Sequence, residues 1–407
     1  MATPERSTAT RRRPHAPTTA LLVVTVLVTA LNLRPAVVAV APLIDEVRAD
    51  LAISASTASL LTTLPLLCFG LGSLPAAGLV RRRGMTTVLL AATVVLVLGI
   101  VVRLVPSTVV LFAGTVVAGL AIALGNVLVP ALIKRDFTGP AVGRMLGAET
   151  VMISLGGAIA AAAMVPVQHA LGWSWRPTLA LWAVPAVVAV GLWLVLRAQR
   201  REAPAVVPTT GARGLWGSPL AWQVTLLMGL QSLHFYAVTT WAPTLFVEQG
   251  YSPTQGGLLL ALAGFVSLPA NYLTPVLAER RATQHHLVVA LVVLLGVGYV
   301  GILLAPGFAV LWMVLVGLGQ GVGLSLGHAF FALRTRDPQA TSQLSGMAQG
   351  AGYCIAALGP LGLGLLRDLS GSWTVPLVAL LVMIVPMAVA GFGAARDRTV
   401  TTPGAPA

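Results

Sequence analysis

The sequence predicts an all-α membrane protein of twelve transmembrane helices, arranged as two pseudo-symmetric six-helix bundles. Three observations carry this. Apolar residues make up 57% of the chain and charged residues 9%, where soluble domains run near a quarter charged. The apolar residues fall into twelve runs, each near the length of about 20 residues that a bilayer-spanning helix needs. Landmarks of the first six runs also recur in the last six, at an offset near 200 residues.

The runs cover 20–42, 56–80, 86–105, 108–133, 143–167, 174–197, 219–247, 254–278, 284–305, 309–333, 340–366 and 373–395. Lysine and arginine lie between them in short clusters: Arg11–Arg12–Arg13, Arg81–Arg82–Arg83, Lys134–Arg135, Arg200–Arg201, Arg280–Arg281, Arg334 with Arg336, and Arg396 with Arg398. The net charge of +13 therefore builds no single basic face, and a nucleic-acid partner is not expected. With the N-terminus inside, twenty of the basic residues fall on the inner side. Four fall outside: Arg48, Arg103, Arg176 and Arg367. The positive-inside rule then places both termini in the cytoplasm, with the protein multi-pass in the cell's inner (plasma) membrane. The expected layout is a cytoplasmic tail over 1–19, a bundle over 20–197, a cytoplasmic linker over 198–218, a second bundle over 219–395 and a tail over 396–407. The first run has no small-residue cleavage site after a short apolar core, so it reads as a retained span.

The repeat has order as well as offset. Ala41–Pro42 in the first run answers Ala242–Pro243 in the seventh, and Ser73–Leu74–Pro75 answers Ser267–Leu268–Pro269. Gly125–Asn126 through Arg135–Asp136 answers Gly327–His328 through Arg336–Asp337, and Ser174–Trp175 answers Ser372–Trp373. Internal repeats of this kind are common in transporters, with the substrate site near the midplane between them. The 42 glycines and 27 prolines suit close helix packing in a membrane, where neighbours satisfy the backbone groups that proline frees. The alternating glycines from Gly317 to Gly323 lie in a membrane run with no strand before them, so they are no nucleotide loop. Cys68 and Cys354 lie in apolar runs and read as packing residues. No metal site or cofactor is expected, and no motif of an enzyme is present. The acidic group Asp45, Glu46 and Asp50, with Arg48, reads as a solvated connection.

Polar groups inside spans are the informative ones, because a charge at the bilayer centre costs about 2.5–3.5 kcal/mol or more. Arg34, in Ala30–Leu31–Asn32–Leu33–Arg34–Pro35, lies about fourteen residues into the first span, or ~20 Å deep. It is the candidate anion site. Glu149 lies well inside the fifth span; it is a candidate for proton coupling, for neutralising Arg34, or for gating with Arg144. His234, in the stretch to Phe235–Tyr236, stands within about a residue of the position equivalent to Arg34. Two such groups would line a shared midplane site. Asn126 and His328 form another pseudo-symmetric pair. Gln320, Asn271, Gln349, Tyr272 and Tyr353 add hydrogen-bonding capacity, and Trp241 reads as an interfacial anchor. The candidate substrate-binding set is Arg34, Asn32, His234, Tyr236, Asn126, His328 and Gln349. The coupling or gating set is Glu149 and Arg144.

Several stretches resemble one known family. They are Leu31–Asn32–Leu33–Arg34–Pro35, Leu61–Thr62–Thr63–Leu64–Pro65, Pro130–Ala131–Leu132–Ile133–Lys134–Arg135, Leu181–Trp182–Ala183–Val184–Pro185 and Met347–Ala348–Gln349–Gly350. With the twelve spans and central loop, they resemble the major facilitator superfamily, and within it the cyanate permease and 2-nitroimidazole transporter family. The resemblance implies transport of a small anionic or electronegative solute; alternating access of the two halves about a midplane site, by a monomer in the lipid bilayer, is expected. Drug or metabolite efflux within the same superfamily is the alternative. Two superfamily patterns are altered. The loop Gly78–Leu79–Val80–Arg81–Arg82–Arg83–Gly84 lacks the usual Asp, and Gly147 and Gly156 are followed by Ala160–Ala161 where antiporters often show Gly-Pro.

Overall fold

The computed structural model describes residues 16–72, 76–138, 140–199, 215–336 and 338–400. Ser73–Leu74–Pro75, Asp337, the arginines of the first tail and most of the central linker lie outside the described residues. The first half holds α1 (Ala16–Leu31), α2 (Pro35–Val38), α3 (Ile44–Leu51), α4 (Ala55–Gly72), α5 (Ala76–Arg83), α6 (Met85–Val101), α7 (Thr108–Asp136), α8 (Pro140–Leu171), α9 (Trp175–Ala180) and α10 (Ala183–Gln199). The second holds α11 (Pro219–Glu248), α12 (Pro253–Glu279), α13 (His285–Leu304), α14 (Ala309–Leu333), α15 (Pro338–Ser370) and α16 (Thr374–Ala394).

Ten stretches of described helix are long and apolar enough to cross a membrane. Two of the twelve expected spans are not among them, for different reasons. Ala55–Leu71 is apolar but short, and its expected continuation runs through undescribed residues. α11 has the length, 30 residues, but not the apolarity. Its Gln231, Ser232, His234, Thr239, Thr240 and Thr244 are all buried. Neighbouring helices rather than lipid surround it, so its sequence need not be oily. The peripheral helices show the opposite. Val289, Val293, Val297 and Val300 of α13, and Val378, Val382, Val385 and Val389 of α16, are exposed at helical spacing. Such apolar stripes suit lipid contact, not water.

The halves meet along two antiparallel pairs, α4 with α15 and α8 with α12. Glycine sets the approach: a methyl group on Gly70 would lie 2.9 Å from the Gly350 carbonyl oxygen, and one on Gly257 would lie 2.6 Å from that of Ala161. At the end of the bundle poor in lysine and arginine, the Asp368 carboxylate crosses between halves. It accepts from the Ala55 and Ser56 amides at 3.0 and 2.8 Å, two of the N–H groups that the start of a helix leaves free. One layer deeper, Thr240 donates to Thr62 at 2.9 Å. Asp368→Ala should loosen this closure by about 1 kcal/mol, the usual worth of such a cap. A cysteine placed at Thr62 is expected to react faster with a water-soluble maleimide in that variant; an unchanged rate would show that the cap does not hold the halves together.

Three expectations are corrected here. The acidic group is exposed, as expected, but is a helix and not a loop. It forms α3, where Arg48 pairs with Asp45 at 3.1 Å, Gln168 donates to Glu46, and Asp50 accepts from Trp175 Nε1 and Arg176 at 3.1 and 2.8 Å. Trp241 is no interfacial anchor: it is 1% exposed and donates through Nε1 to the Pro360 carbonyl at 2.9 Å. Tyr272 instead points outward, 76% exposed. At the basic end, Arg334 is buried too. It donates to the Ala394 carbonyl at 2.6 Å and to Gln284, tying the ends of α13, α14 and α16.

Candidate functional site: a broken first span beside a cavity

The first span breaks where its sequence says it should. After Leu31 the amides of Asn32 and Leu33 reach back three residues, to Thr29 and Ala30. The Val28 carbonyl is left over, and the Asn32 side chain donates to it at 2.8 Å. Pro35 has no N–H to offer Leu31 and starts α2 with its φ already helical. Arg34 stands between as the N-cap residue of α2. Asn32 is thus 3% exposed and closes a helix; the structure gives it no face on the cavity.

Two further contacts fix the break. The Ala36 carbonyl accepts no backbone amide among the described residues and takes Arg103 Nη1 at 2.9 Å instead. Arg103 was expected in an outer loop; it is 3% exposed and buried against span one. Against the break lie Gly156 and Gly157 of α8. A methyl group on Gly156 would overlap the Leu31 carbonyl oxygen, while one on Gly157 would meet Arg34 Cβ at an ordinary 3.5 Å.

Arg34 opens on a cavity of about 50 Å³ between the halves. A single water needs roughly 10–15 Å³ on the same measure, so there is room for a small solute. Arg34, Val38, Ile153, Ser154 and Gly157 form one wall, with Phe235, Thr239, Leu260, Asn271, Gln320 and Leu324 opposite. The guanidinium carbon lies 4.8 Å from the Phe235 ring centre and 5.6 Å from that of Tyr236. No carboxylate or hydrogen-bond acceptor pairs with it among the described residues. Its five donors are therefore available.

Of the remaining candidates, Tyr236 reaches Arg34 through its ring, and Tyr236, Tyr353 and His328 lie within its electrostatic reach. His328 Nδ1 is held by the Leu324 carbonyl at 2.8 Å. Asn126 is half-buried and follows Gly125, which packs on Leu33. Gln349 donates to Ser345 at 2.8 Å and does not line the cavity. His234 departs most from expectation. It is fully buried, stacked on Tyr299 with ring centres 5.6 Å apart and Nδ1 3.2 Å from the phenol oxygen. It faces α13, not Arg34; the residue after it, Phe235, faces the cavity. The pair of cations lining one site is not formed. Glu149 is 4% exposed and pairs with neither Arg34 nor Arg144 among the described residues. Seven residues before Gly156, it lies ~10 Å along the same face of α8. No group of three His, Cys, Asp or Glu able to hold a metal occurs among the described residues.

A two-half helical bundle with exposed apolar stripes, enclosing a largely apolar cavity with a few polar groups at a broken span, is the architecture of a multi-pass membrane transporter. The chain belongs to the Major Facilitator Superfamily, whose family model matches residues 22–360. It is 37% identical over 381 residues to the 2-nitroimidazole transporter of Escherichia coli (strain K12), covering 93% of this chain and 96% of that one. It is 30% identical over 357 residues to the cyanate transport protein CynX of the same organism, covering 87% and 91%. Among solved structures it is similar to a bacterial homologue of the human lysosomal transporter Spinster, with a TM-score of 0.76, 17% identity, and coverage of 95% and 99%.

Proposed function

We propose that this transporter carries a small anionic or electronegative solute, nitroimidazole-like or cyanate-like, across the cell's inner membrane by alternating access. In this reading the basic end faces the cytoplasm. The observation that carries the proposal is Arg34: a cation without a carboxylate partner among the described residues, set at a helix break on the wall of the inter-half cavity. A charge within a membrane span and without a counter-ion is expensive, and a solute with negative or acceptor atoms supplies one. The Phe235 ring beside the guanidinium offers a planar solute a stacking face. The two relatives named for nitroimidazole and cyanate transport support the same solute class. The test is uptake of labelled 2-nitroimidazole and cyanate into proteoliposomes. Saturable uptake of either, absent from protein-free liposomes, is expected. Uptake of neither rejects the proposed solute class.

Glu149 is proposed to couple the cycle to protons. Its carboxyl is buried on the face of α8 that carries the Arg34 contact, and has no fixed partner among the described residues. Glu149→Gln should keep downhill uptake within about twofold and abolish uphill accumulation driven by a pH gradient. Uphill accumulation preserved in Glu149→Gln would reject the proton role.

A further inference from the structure

With His234 turned away, the second half needs another group facing Arg34. Gln320 of α14 lines the cavity and is 6% exposed. Its side-chain amide makes no hydrogen bond among the described residues, and its nitrogen is fully enclosed. The neighbours in sequence are Gly319 and Gly321, which bring no polar atom. Gly321 lets α14 press on α12: a methyl group there would lie 2.5 Å from the Ser267 carbonyl oxygen. The other cavity amide, Asn271, is engaged, since its Oδ1 and carbonyl oxygen both accept from the Ser325 hydroxyl, at 2.9 and 3.0 Å.

A buried amide left without partners is destabilising, and folded proteins keep few of them. A hydrocarbon side chain of the same length would suit the bundle better. We propose that the Gln320 amide is the second half's contact to the solute, so that the bound solute bridges Arg34 and Gln320. This rests on the functional reading above and sharpens the solute class. Arg34 only donates, whereas an amide both donates and accepts, and a turn of the Gln320 amide about its last, soft torsion brings either its oxygen or its nitrogen to the cavity. The solute then carries acceptor atoms at one end and a further hydrogen-bonding atom at the other. A nitro group with a ring nitrogen meets this description, as do the two ends of cyanate. Because Arg34 and Gln320 belong to opposite halves, such a solute ties together the two bodies that must rock.

The experiment measures thermal stability and affinity for 2-nitroimidazole and for cyanate in the purified full chain and in Gln320→Leu, Gln320→Met and Arg34→Ala. The expected result is a melting temperature without solute that is unchanged or higher in both Gln320 variants. Their binding of either solute should be roughly tenfold weaker or more, the range for a hydrogen bond to a charged or strongly polar partner. Unchanged affinity in Gln320→Leu, with binding lost in Arg34→Ala, overturns the Gln320 assignment and leaves the functional reading standing. A lower melting temperature in both Gln320 variants marks an internal packing role and also overturns it. If the unaltered protein binds neither solute, both readings fall.

Discussion

Arg34→Ala is expected to reduce solute uptake at least thirtyfold. Truncating one partner of a buried charged contact costs about 2–5 kcal/mol, and each 1.4 kcal/mol is a factor of about ten. The same change removes the stacking of the guanidinium on Phe235, worth roughly 0.5–2 kcal/mol, but also relieves an uncompensated charge, so stability without solute should change little while uptake is lost. Arg34→Lys separates charge from shape. It keeps the positive charge but lacks the planar fork and the stacking face, and should fall between the two, near a tenfold loss. Uptake measured over a concentration series shows the distinction: full activity in both variants would remove Arg34 from the site.

Gly156→Ala is expected to damage the protein although it adds one methyl group. The new carbon would overlap the Leu31 carbonyl oxygen, a backbone atom at the end of α1. Backbone cannot rotate aside as a flexible side chain can. Either α8 or the break must move, at about 1–3 kcal/mol, the usual cost of overpacking. Arg34 is three residues beyond Leu31, so uptake should fall with stability. Gly157→Ala is the control. Its added methyl would touch Arg34 Cβ at 3.5 Å, ordinary packing, so stability should be close to unaltered. Equal melting temperatures for the two variants would show that the contact at Leu31 does not constrain the break.

These two residues also show what was legible in sequence. The fold was, because lipid imposes long apolar runs and translocation sorts basic residues to one side. α11 met the expectation by length alone, since a helix enclosed by its neighbours escapes the lipid constraint. Arg34 was legible as a charge with no local reason to be in a span, and Asn32 and Pro35 were legible as the ends of two helices. The orientation of His234 was not. The repeat placed it to within a residue, and one residue on a helix is a rotation of about 100°, enough to turn it from the cavity to Tyr299. The contacts of Arg103, Trp241 and the acidic residues of α3 were not legible, for a common reason. Their partners, Ala36, Pro360, Gln168 and Trp175, are 67 to 125 residues away, and no local pattern reports such pairing. Gln320 was visible as one polar residue in a glycine-rich run; that its amide lacks a partner is a property of packing.

The solute is proposed to bind at the broken first span, between the halves. Selenocyanate tests it directly, as a linear analogue of cyanate that carries an anomalous scatterer. Crystals of the protein soaked in it should show one dominant anomalous peak inside the cavity bounded by Arg34, Phe235 and Gln320, lost in crystals of Arg34→Ala. A dominant peak elsewhere in the bundle, or one that persists unchanged without the arginine, would contradict it.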